Sequence, residues 1–295
     1  MATRLSVITV TYNSQRFLDG MFDSLVKFLP KYSEWIVVDH ESKDSTVEKL
    51  KGYQKTARFP IKIIEQKNLG FSKGNNRAAK DAQGEYILIL NPDTRLIDHS
   101  IESMLDFIAE RGDIGILAPR LLEPDGKVQQ SVRRLPTLSG LISESLLNKK
   151  HAFSEYAPGN GHPTEVECVY GAAMLLQKHV FESVKGFTED YFLYYEDIDF
   201  CRKILRQGLK IVYFPEAQIS HQVGGSVVES KNMPPGIRTL AHFIPIKASG
   251  KQYFQLKGRY LYHGVLIGVL IAILQYVFSI HRRIAFYSKK ILRFG

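Results

Sequence analysis

YILILNPD, residues 86–93, is the stretch that decides the fold of this chain. Its first five residues are almost continuously apolar, which is typical of a strand buried on both faces in the middle of a parallel sheet. Pro92 cannot continue such a strand, so the chain has to turn at this point. The turn leaves Asp93 at the carboxyl end of a central strand, where open α/β sheets bind their ligands. At this single position, a turn aspartate that hydrogen-bonds only its own backbone is the alternative explanation.

Three more β-rich runs precede this strand, at residues 5–10, 35–38 and 61–64. Counted together with the run at 86–90, their last residues are 28, 26 and 26 positions apart, close to the ~30 residues of a βαβ unit. The apolar period predicts helices between the runs at 14–29, from Ser45 onward and at 70–81, and Ser45 and Glu48 match a capping box. This alternation predicts an α/β fold with a Rossmann-like, doubly wound, mostly parallel sheet flanked by helices.

The second half of the chain contains fewer segments with a helical or strand pattern. Helices are expected at 97–108 and 197–207, and short strands are expected at 115–119 and 210–214. Residues 148–165 are rich in His, Gly, Pro and Asn and have no apolar period, which predicts a mobile loop.

Polar residues and glycines follow each of the first four strands, at the edge of the sheet where parallel strands end together. These candidates for a nucleotide site are Thr11, Tyr12, Asn13, Asp39, Ser42, Asn68, Gly70, Phe71, Gly74, Asn75 and Asn91. A carboxylate such as that of Asp39 accepts a hydrogen bond from a pyrimidine base or a ribose hydroxyl. Gly70 and Gly74 allow close backbone approach, and the adjoining helix N-terminus favours an anion such as a diphosphate. The glycine spacing matches neither G-x-G-x-x-G nor G-x-x-x-x-G-K-[ST], which disfavours a dinucleotide cofactor and ATP hydrolysis.

Five acidic residues within positions 189–199 indicate a second chemical centre. An acidic helix N-terminus explains part of this pattern, because the helix dipole favours negative charge there. It does not explain the aromatic run at 191–195 that comes directly before Glu196 and Asp197. An aromatic wall beside carboxylates suits a sugar ring, and reduced solvent access raises the pKa of a carboxyl group toward that of a useful base.

Several motifs occur in one order along the chain. They are TYN at 11–13, VDHESKDST at 38–46, NLGFSKGNN at 68–76, LNPD at 90–93, GFTEDYFLYYEDIDFCRK at 186–203 and ISHQVGGS at 219–226. This ordered set resembles the family 2 glycosyltransferases with the GT-A fold, over about residues 4–226, and within them the rhamnosyltransferase-like enzymes of bacterial surface polysaccharide synthesis. The resemblance implies a GT-A domain at 1–240, with a nucleotide-binding half at 1–95 and an acceptor-binding half at 96–240.

The resemblance also implies roles for individual residues. Asp39 would contact the base, Asp93 stands in the metal position, and the stretch with Glu196 and Asp197 faces the acceptor, while Asn91 replaces the first acid of a D-x-D motif. An imidazole from His221 can join Asp93 in holding Mg²⁺ or Mn²⁺ against a diphosphate, with a purely structural histidine as the alternative. Asp197 is expected to remove the proton from the acceptor hydroxyl, with Glu196 supporting the site.

The function implied is that of an inverting glycosyltransferase that moves a deoxyhexose such as rhamnose, or another hexose, from a dTDP- or UDP-sugar. The implied acceptor is a polyprenyl-diphosphate-linked glycan in polysaccharide or O-antigen assembly. A nucleotidyltransferase and an inactive nucleotide-sugar-binding membrane protein are the alternatives. The first would release diphosphate rather than a nucleoside diphosphate, and the second would not turn over the donor.

Charge is unevenly distributed along the chain. Residues 230–295 hold 11 Lys/Arg and no Asp or Glu, whereas the remaining 28 basic and 30 acidic residues nearly cancel, so the net charge of +9 belongs to the C-terminal segment. A nucleic-acid-binding protein would carry its basic residues on the folded face, so nucleic acid is not expected as a partner. Two cysteines without metal-ligand spacing are typical of a reducing compartment.

Residues 261–280 are predominantly apolar and carry no formal charge. At ~1.5 Å per residue, a helix of this length reaches the ~30 Å of a bilayer's hydrocarbon core. Basic residues on both sides of the segment would be attracted to anionic headgroups. The sequence predicts a membrane-associated, hydrophobic helical tail at 241–295 that holds the protein on the cytoplasmic face of the inner (cell) membrane. A helix buried within a homodimer is the alternative for this segment.

Overall fold

The computed structural model describes residues 3–135, 155–193, 196–222, 246–247 and 253–254. The first half contains β1 (Leu5–Thr11), α1 (Gln15–Phe28), β2 (Ser33–Asp39), α2 (Thr46–Thr56), β3 (Ile61–Glu65), α3 (Phe71–Asp81) and β4 (Tyr86–Leu90). The four predicted strands and three predicted helices of this half are confirmed, because their bounds differ from the expected ones by at most two residues.

The second half adds nine strands and three more helices within the described ranges. They are β5 (Thr94–Leu96), α4 (Ser100–Ala109), β6 (Ile114–Leu122), β7 (Val132–Arg133), β8 (Thr164–Val166), β9 (Cys168–Val169), β10 (Ala173–Gln177), α5 (Lys178–Ser183), α6 (Glu196–Arg206), β11 (Lys210–His221), β12 (Ile246–Lys247) and β13 (Tyr253–Phe254). The helices expected at 97–108 and 197–207 are confirmed as α4 and α6. The expected strands at 115–119 and 210–214 are confirmed as parts of the longer β6 and β11.

One local prediction is wrong, and a second is wrong at one end of its range. No capping box forms at α2, because Ser45 makes no side-chain cap hydrogen bond. Instead, Asp44 Oδ1 accepts hydrogen bonds at the start of the helix, from the Thr46 N–H at 3.1 Å and the Thr46 hydroxyl at 2.5 Å. The last two residues of the loop expected at 148–165 belong to a strand, because Thr164–Val166 pairs with β11 as β8.

No helix in the part of the chain that the structure describes combines the length and apolar character needed to cross a bilayer. The segment predicted as a membrane-associated helix, residues 261–280, lies outside the described residues, and so do the Gly-Gly pair after His221 and residues 148–154. The predicted division of the chain at 95/96 and 240/241 stays a prediction.

Strand order determines which loops meet. One sheet has the order β3-β2-β1-β4-β10-β6-β11-β5, and β8 also pairs with β11. β1, β2, β3 and β4 are parallel, whereas β10 runs antiparallel between β4 and β6. Because Ala173 at the start of β10 lies opposite Leu90 at the end of β4, the loop before β10 joins the edge where the parallel strands end.

Alternating side chains of the strands fill one apolar layer on each face of the sheet. The first layer holds α1, α2 and α4, with Trp35 fully buried at its centre. The second layer holds α3, α5 and α6, and in it Phe187 and Phe200 stack with 4.4 Å between their ring centroids. With both faces covered, the carboxyl edge of the sheet is where polar loops can reach a ligand.

A buried polar network joins the amino ends of β1, β2 and β4. The Glu34 carboxylate accepts hydrogen bonds from the Ser6 hydroxyl at 2.6 Å and from the Gln83 N–H at 2.7 Å. Ser6 Oγ in turn accepts from the Gly84 N–H at 2.8 Å. These bonds offset the cost of burying a carboxylate. They also bring Gly84 so close to β1 that an added Cβ would lie 2.6 Å from the Ser6 nitrogen.

Gly84→Ala is expected to lower the free energy of unfolding by ~1–3 kcal/mol, because the new methyl group would displace the β1 backbone. Gly52→Ala in α2 is the matched control, since no heavy atom of the described residues lies within 4 Å of its Cβ position. That control should raise the free energy of unfolding by up to ~1 kcal/mol through helix propensity. Urea denaturation followed by circular dichroism measures both changes. Equal effects of the two substitutions would contradict the close packing at Gly84.

Candidate active site

The polar groups of the sheet edge meet because the loop before β10 is tied to the loop after β4. The Asn91 N–H donates to the Ala172 carbonyl at 3.0 Å. A Cβ placed on the neighbouring Gly171 would lie 3.5 Å from the Phe71 ring and 3.7 Å from the Asp197 Cβ. The start of α3, the loop after β4, the loop before β10 and the start of α6 therefore form one continuous site.

Asp93 and His221 form a buried pair at this edge. Asp93 lies between β4 and β5, His221 ends β11, and the Gln222 N–H donates to the Asp93 carbonyl at 2.9 Å. The two side chains are 8% and 9% exposed, with 3.5 Å between Asp93 Oδ1 and His221 Nε2. Asp93 Oδ1 is buried and has no hydrogen-bond partner among the described residues. The structure thus brings together the two residues that were predicted as metal ligands.

The Asp93–His221 pair fits a divalent cation. A buried carboxylate oxygen without a hydrogen-bond donor is costly, and a cation would satisfy it. Two ligands that each lie ~2.1 Å from one ion are ~3–4 Å apart, which the observed separation of the Oδ1 and Nε2 atoms meets. The described ranges contain no group of three or more His, Cys, Asp or Glu that could hold a metal. An ion at this pair would therefore share its remaining positions with water and substrate oxygens, as Mg²⁺ does at phosphate sites.

Glu196 and Asp197 open α6 as adjacent acids in different surroundings. Glu196 is buried, and its Oε2 has no hydrogen-bond partner among the residues that the structure describes. Burial, and secondly the charge of Asp197, raise the pKa of Glu196 to about 8. Burial also raises the pKa of Asp197, but Arg133 and the N–H groups of Ile198 and Gly171 oppose that rise. At neutral pH, the proton shared by these two acids therefore belongs on Glu196, and Asp197 is the ionised member.

Arg133 on β7 is a site residue that the sequence analysis missed. Its guanidinium lies 4.7 Å from the centroid of the Tyr170 ring, donates to the Tyr170 hydroxyl at 3.0 Å and pairs with Glu155. Burial opposes the charge of Arg133, but Tyr170, Asp197 and Glu155 together raise its pKa above the ordinary value. The side chain is therefore a permanent cation that keeps Asp197 ionised.

Asp39 ends β2 as a fully buried residue that organises two of the predicted nucleotide-binding loops. Its Oδ1 accepts hydrogen bonds from the Thr11 hydroxyl at 2.8 Å and the Ser42 hydroxyl at 2.6 Å, and its Oδ2 accepts from the Ser42 N–H at 2.9 Å. Three hydrogen bonds within the chain therefore hold the loops after β1 and β2 together. The contact of Asp39 with a base stays a prediction.

Tyr12 and Asn13 lie above these two loops. Asn13 has a left-handed φ of 50°, its N–H donates to Ser42 Oγ at 2.8 Å, and its Oδ1 accepts from the Lys43 N–H at 2.7 Å. This geometry presents Tyr12 outward, with 52% of its surface exposed. An exposed aromatic ring on an ordered loop is available for stacking against a base, and the nucleotide contact expected of Tyr12 stays a prediction.

The loop after β3 turns into α3 against the segment that precedes α6. The Gly70 N–H donates to Asn68 Oδ1 at 3.2 Å, and Gly70 takes a φ of 91° that favours glycine. A Cβ on Gly70 would overlap the Phe192 carbonyl oxygen, which accepts the Phe71 N–H at 2.8 Å. In this structure the first N–H of α3 is therefore bound by the chain itself, and a diphosphate contact at this helix end stays a prediction.

Gly74 and Asn75 lie further along α3 and are both buried. A Cβ on Gly74 would lie 2.7 Å from a Val10 methyl group, so glycine lets α3 pack closely on β1. The Asn75 amide donates to the Phe71 carbonyl at 3.0 Å, whereas Asn75 Oδ1 and the neighbouring Ser72 Oγ are buried without partners among the described residues. The structure gives Gly74 a packing role and leaves polar groups available at Asn75 and Ser72.

Asn76 is a second residue whose role the sequence did not reveal. Its amide donates to the Phe187 carbonyl at 2.9 Å and to Glu189 at 3.1 Å, and its Oδ1 accepts from the Phe187 N–H at 2.8 Å. It thus fixes the loop that leads to the Glu196–Asp197 pair. The signal that could have indicated Asn76 was its place within NLGFSKGNN, whereas Arg133 stands outside every quoted motif.

Comparison with known proteins identifies related sequences and similar folds. A family model described as Glycosyl transferase family 2 matches residues 6–183, well over half of the chain. The N-acetylglucosaminyl-diphospho-decaprenol L-rhamnosyltransferase of Mycobacterium tuberculosis (strain CDC 1551 / Oshkosh) is 27% identical over 240 residues, which are 75% of this chain and 76% of the relative. Rhamnosyltransferase WbbL of Escherichia coli (strain K12) is 30% identical over 162 residues, which are 52% of this chain and 60% of the relative.

Among solved structures, GalNAc-T7 with UDP, GalNAc and Mn²⁺ is similar with a TM-score of 0.61 and 16% sequence identity. The similarity covers 75% of this chain and 44% of that chain. It confirms the predicted GT-A fold, an α/β fold with a mixed, mostly parallel sheet flanked by helices.

Glu196→Gln is expected to stabilise the protein increasingly as the pH rises. Unfolded Glu196 loses its proton near the ordinary value of 4.5, whereas the folded protein keeps it until about 8, so the wild type loses stability between these values and the neutral Gln does not. The difference in free energy of unfolding should grow by ~2–4 kcal/mol across this window. Urea denaturation at a series of pH values measures it, with the exposed Glu216→Gln as the control. A pH-independent difference for Glu196→Gln would contradict the raised pKa.

Proposed function

This chain belongs to glycosyl transferase family 2, and we propose that it is an inverting glycosyltransferase that elongates a lipid-linked glycan. Its donor is a nucleoside diphosphate sugar, either a dTDP- or a UDP-sugar. The sugar moved is a deoxyhexose such as rhamnose, or another hexose. Family membership shows a glycosyltransferase, and the finer assignments rest on the site and on what the relatives are named for.

One observation carries the proposed chemistry, namely the division of protonation between Glu196 and Asp197. Inverting transfer by a single displacement needs one ionised base beside the acceptor hydroxyl. Asp197 meets this need because Arg133 and two backbone N–H groups favour its charged form, whereas Glu196 is buried and has no cation of its own. A neutral Glu196 also avoids a second negative charge beside the base. Such a charge would repel the negative charge that develops on the acceptor oxygen as it loses its proton.

The proposed reaction is one displacement at the anomeric carbon. The acceptor hydroxyl oxygen forms a bond to that carbon, its proton passes to Asp197, and the bond from the carbon to the diphosphate oxygen breaks. The nucleoside diphosphate leaves with the bonding electrons. Attack from the face opposite to the leaving group inverts the anomeric configuration, and Asp197 returns its proton to solvent before the next turnover.

Asp93 and His221 would hold Mg²⁺ or Mn²⁺ against the donor diphosphate. Such an ion neutralises the negative charge that develops on the leaving group. The buried Asp93 Oδ1 without a hydrogen-bond partner supports this assignment, and the Mn²⁺ bound by GalNAc-T7 supports the class of metal. The UDP in that same structure supports a nucleoside diphosphate at the loops around Asp39.

The names of the relatives support the acceptor and the sugar. The relative from Mycobacterium tuberculosis is named for L-rhamnosyl transfer to N-acetylglucosaminyl-diphospho-decaprenol, a polyprenyl-diphosphate-linked sugar. The O-antigen biosynthesis protein RfbC of Myxococcus xanthus is 28% identical over 174 residues, which are 56% of this chain and 13% of that protein. Together they support assembly of a bacterial surface polysaccharide.

Attachment to the cytoplasmic face of the inner membrane is part of the same proposal. Nucleotide sugars are made in the cytoplasm, whereas a polyprenyl-linked acceptor resides in the bilayer. The uncharged residues 261–280, with basic residues on both sides, suit a helix that associates with an anionic membrane.

Asp197→Asn is expected to lower kcat by ~10²–10⁴-fold with the donor affinity retained, because it removes the base and keeps the shape. Glu196→Gln is the matched variant and should keep kcat within ~10-fold, because the wild-type Glu196 is already neutral at pH 7. Steady-state release of nucleoside diphosphate with a lipid-linked acceptor measures both. A large loss from Glu196→Gln with little loss from Asp197→Asn would reverse the two roles.

Truncation after Gly258 is expected to release the protein from membranes. The shortened enzyme should stay in solution without detergent and bind donor as the full chain does. Its activity should fall mainly on lipid-linked acceptors and not on short water-soluble ones. Ultracentrifugal fractionation and acceptor comparison provide the measurement. A full-length protein that remains in the cytosolic fraction and monodisperse without detergent would contradict membrane attachment.

A further inference from the structure

Gln129 is a buried polar residue that contacts His221 across a long stretch of sequence. It is 7% exposed, and its side-chain Oε1 lies 2.8 Å from His221 Nδ1. An amide oxygen only accepts hydrogen bonds, so Nδ1 must carry the hydrogen and donate it. In a neutral imidazole the other nitrogen, Nε2, then has no hydrogen and presents its lone pair.

The backbone holds Gln129 firmly at this place. A tight turn precedes it, in which the Gly126 N–H donates to the Glu123 carbonyl and the Glu123 N–H donates to the Lys127 carbonyl, each at 2.8 Å. The Gln129 N–H then donates to the Leu121 carbonyl at 2.8 Å. Residues 123–128 are exposed, whereas Gln129 turns inward. These backbone hydrogen bonds of the turn at 123–127 and of Gln129 therefore hold the Gln129 backbone in place.

The lone pair of His221 Nε2 faces Asp93 Oδ1 at 3.5 Å. Two hydrogen-bond acceptors that face each other in a buried site repel each other unless a metal cation or a second ring proton lies between them. With the hydrogen on Nε2, His221 would donate to Asp93 and close the pair as a hydrogen bond. The Gln129 amide oxygen disfavours that alternative because it would then face the lone pair of Nδ1.

We propose that Gln129 is a positioning residue that holds His221 in the Nδ1–H tautomer and so keeps the Nε2 lone pair available for a divalent cation beside Asp93. The metal part of this inference rests on the proposed function. The tautomer part rests only on the contact between Gln129 and His221. Partners of this kind, which orient the imidazole of a metal ligand, typically change metal affinity by ~10–100-fold when removed.

Three variants distinguish the effect of the accepting oxygen of Gln129 from the effect of its side-chain volume. Gln129→Met keeps the length of the side chain and removes the amide oxygen. Gln129→Glu keeps an accepting oxygen in the same place. Gln130→Met makes the same chemical change at the exposed neighbouring position. Circular dichroism and the melting temperature establish that each full-length variant is folded.

Nitrogen-15 NMR of the histidine side chains reads the tautomer directly at pH ~8.5, about two units above the ordinary histidine pKa. The wild type, Gln129→Glu and Gln130→Met should show His221 as the Nδ1–H tautomer, with its signals assigned by their loss in His221→Gln. Gln129→Met should shift His221 to the Nε2–H tautomer. An unchanged tautomer in folded Gln129→Met would overturn the proposal.

Titration with Mn²⁺ alone, followed by the electron paramagnetic resonance of the free ion, tests the consequence. Gln129→Met should bind Mn²⁺ ~10–100-fold more weakly than the wild type, and Gln129→Glu and Gln130→Met should stay within ~3-fold of it. Equal Mn²⁺ affinity in all four proteins would overturn the link between Gln129 and the cation. If the tautomer shifts as expected but the wild type binds no Mn²⁺, the role of Gln129 is supported and the metal assignment of the proposed function fails.

Discussion

The antiparallel pairing of β10 with β4 is the constraint on which the rest of the site depends. It places Ala173 opposite Leu90 and lets the Asn91 N–H bond the Ala172 carbonyl at 3.0 Å. A purely parallel sheet would gather only loops that follow strands at this edge. The inserted β10 adds the loop that precedes it, and the Gly171 N–H of that loop reaches Asp197 at the start of α6. The proposed nucleotide side and the proposed acceptor side of the site are joined in this way.

Burial alone does not decide which of the two adjacent carboxyl groups in the site is ionised, because burial raises the pKa of both and their neighbours differ. Glu196 and Asp197 are adjacent on one helix. Among the described residues, Arg133 and the N–H groups of Ile198 and Gly171 favour the ionised form of Asp197, whereas no cation lowers the pKa of Glu196. Arg133, the cation near Asp197, and Gln129, the residue proposed to orient His221, lie on one short segment of the chain. This segment therefore contacts the proposed metal pair at one end and the proposed base at the other, so a displacement of β7 would disturb both.

The sequence was sufficient for β1 to β4, for α1 to α4 and α6, and for parts of β6 and β11, because period and turn chemistry are local properties of the chain. It did not indicate β10 or α5. It predicted β1 to β4 within two residues, and it placed Asp93 and His221 together through a family resemblance. It could not reveal Asn76, Gln129 or Arg133, because each acts on a partner that is distant in sequence, such as Phe187 or His221. The capping box failed for a different reason, since Ser45 makes no side-chain cap hydrogen bond and Asp44, outside the expected motif, accepts the Thr46 N–H. Local patterns predict local structure, and the supporting contacts of the site follow from strand order.

The configuration of the glycosidic bond in the product tests the central claim most directly. The purified full-length protein is incubated with its nucleoside diphosphate sugar and a polyprenyl-diphosphate-linked glycan, and the anomeric proton coupling of the product is measured by NMR while the released nucleotide is quantified. A single displacement assisted by Asp197 predicts an inverted anomeric configuration and one nucleoside diphosphate released for each bond formed. A retained configuration, or release of free diphosphate in place of the nucleoside diphosphate, would contradict it.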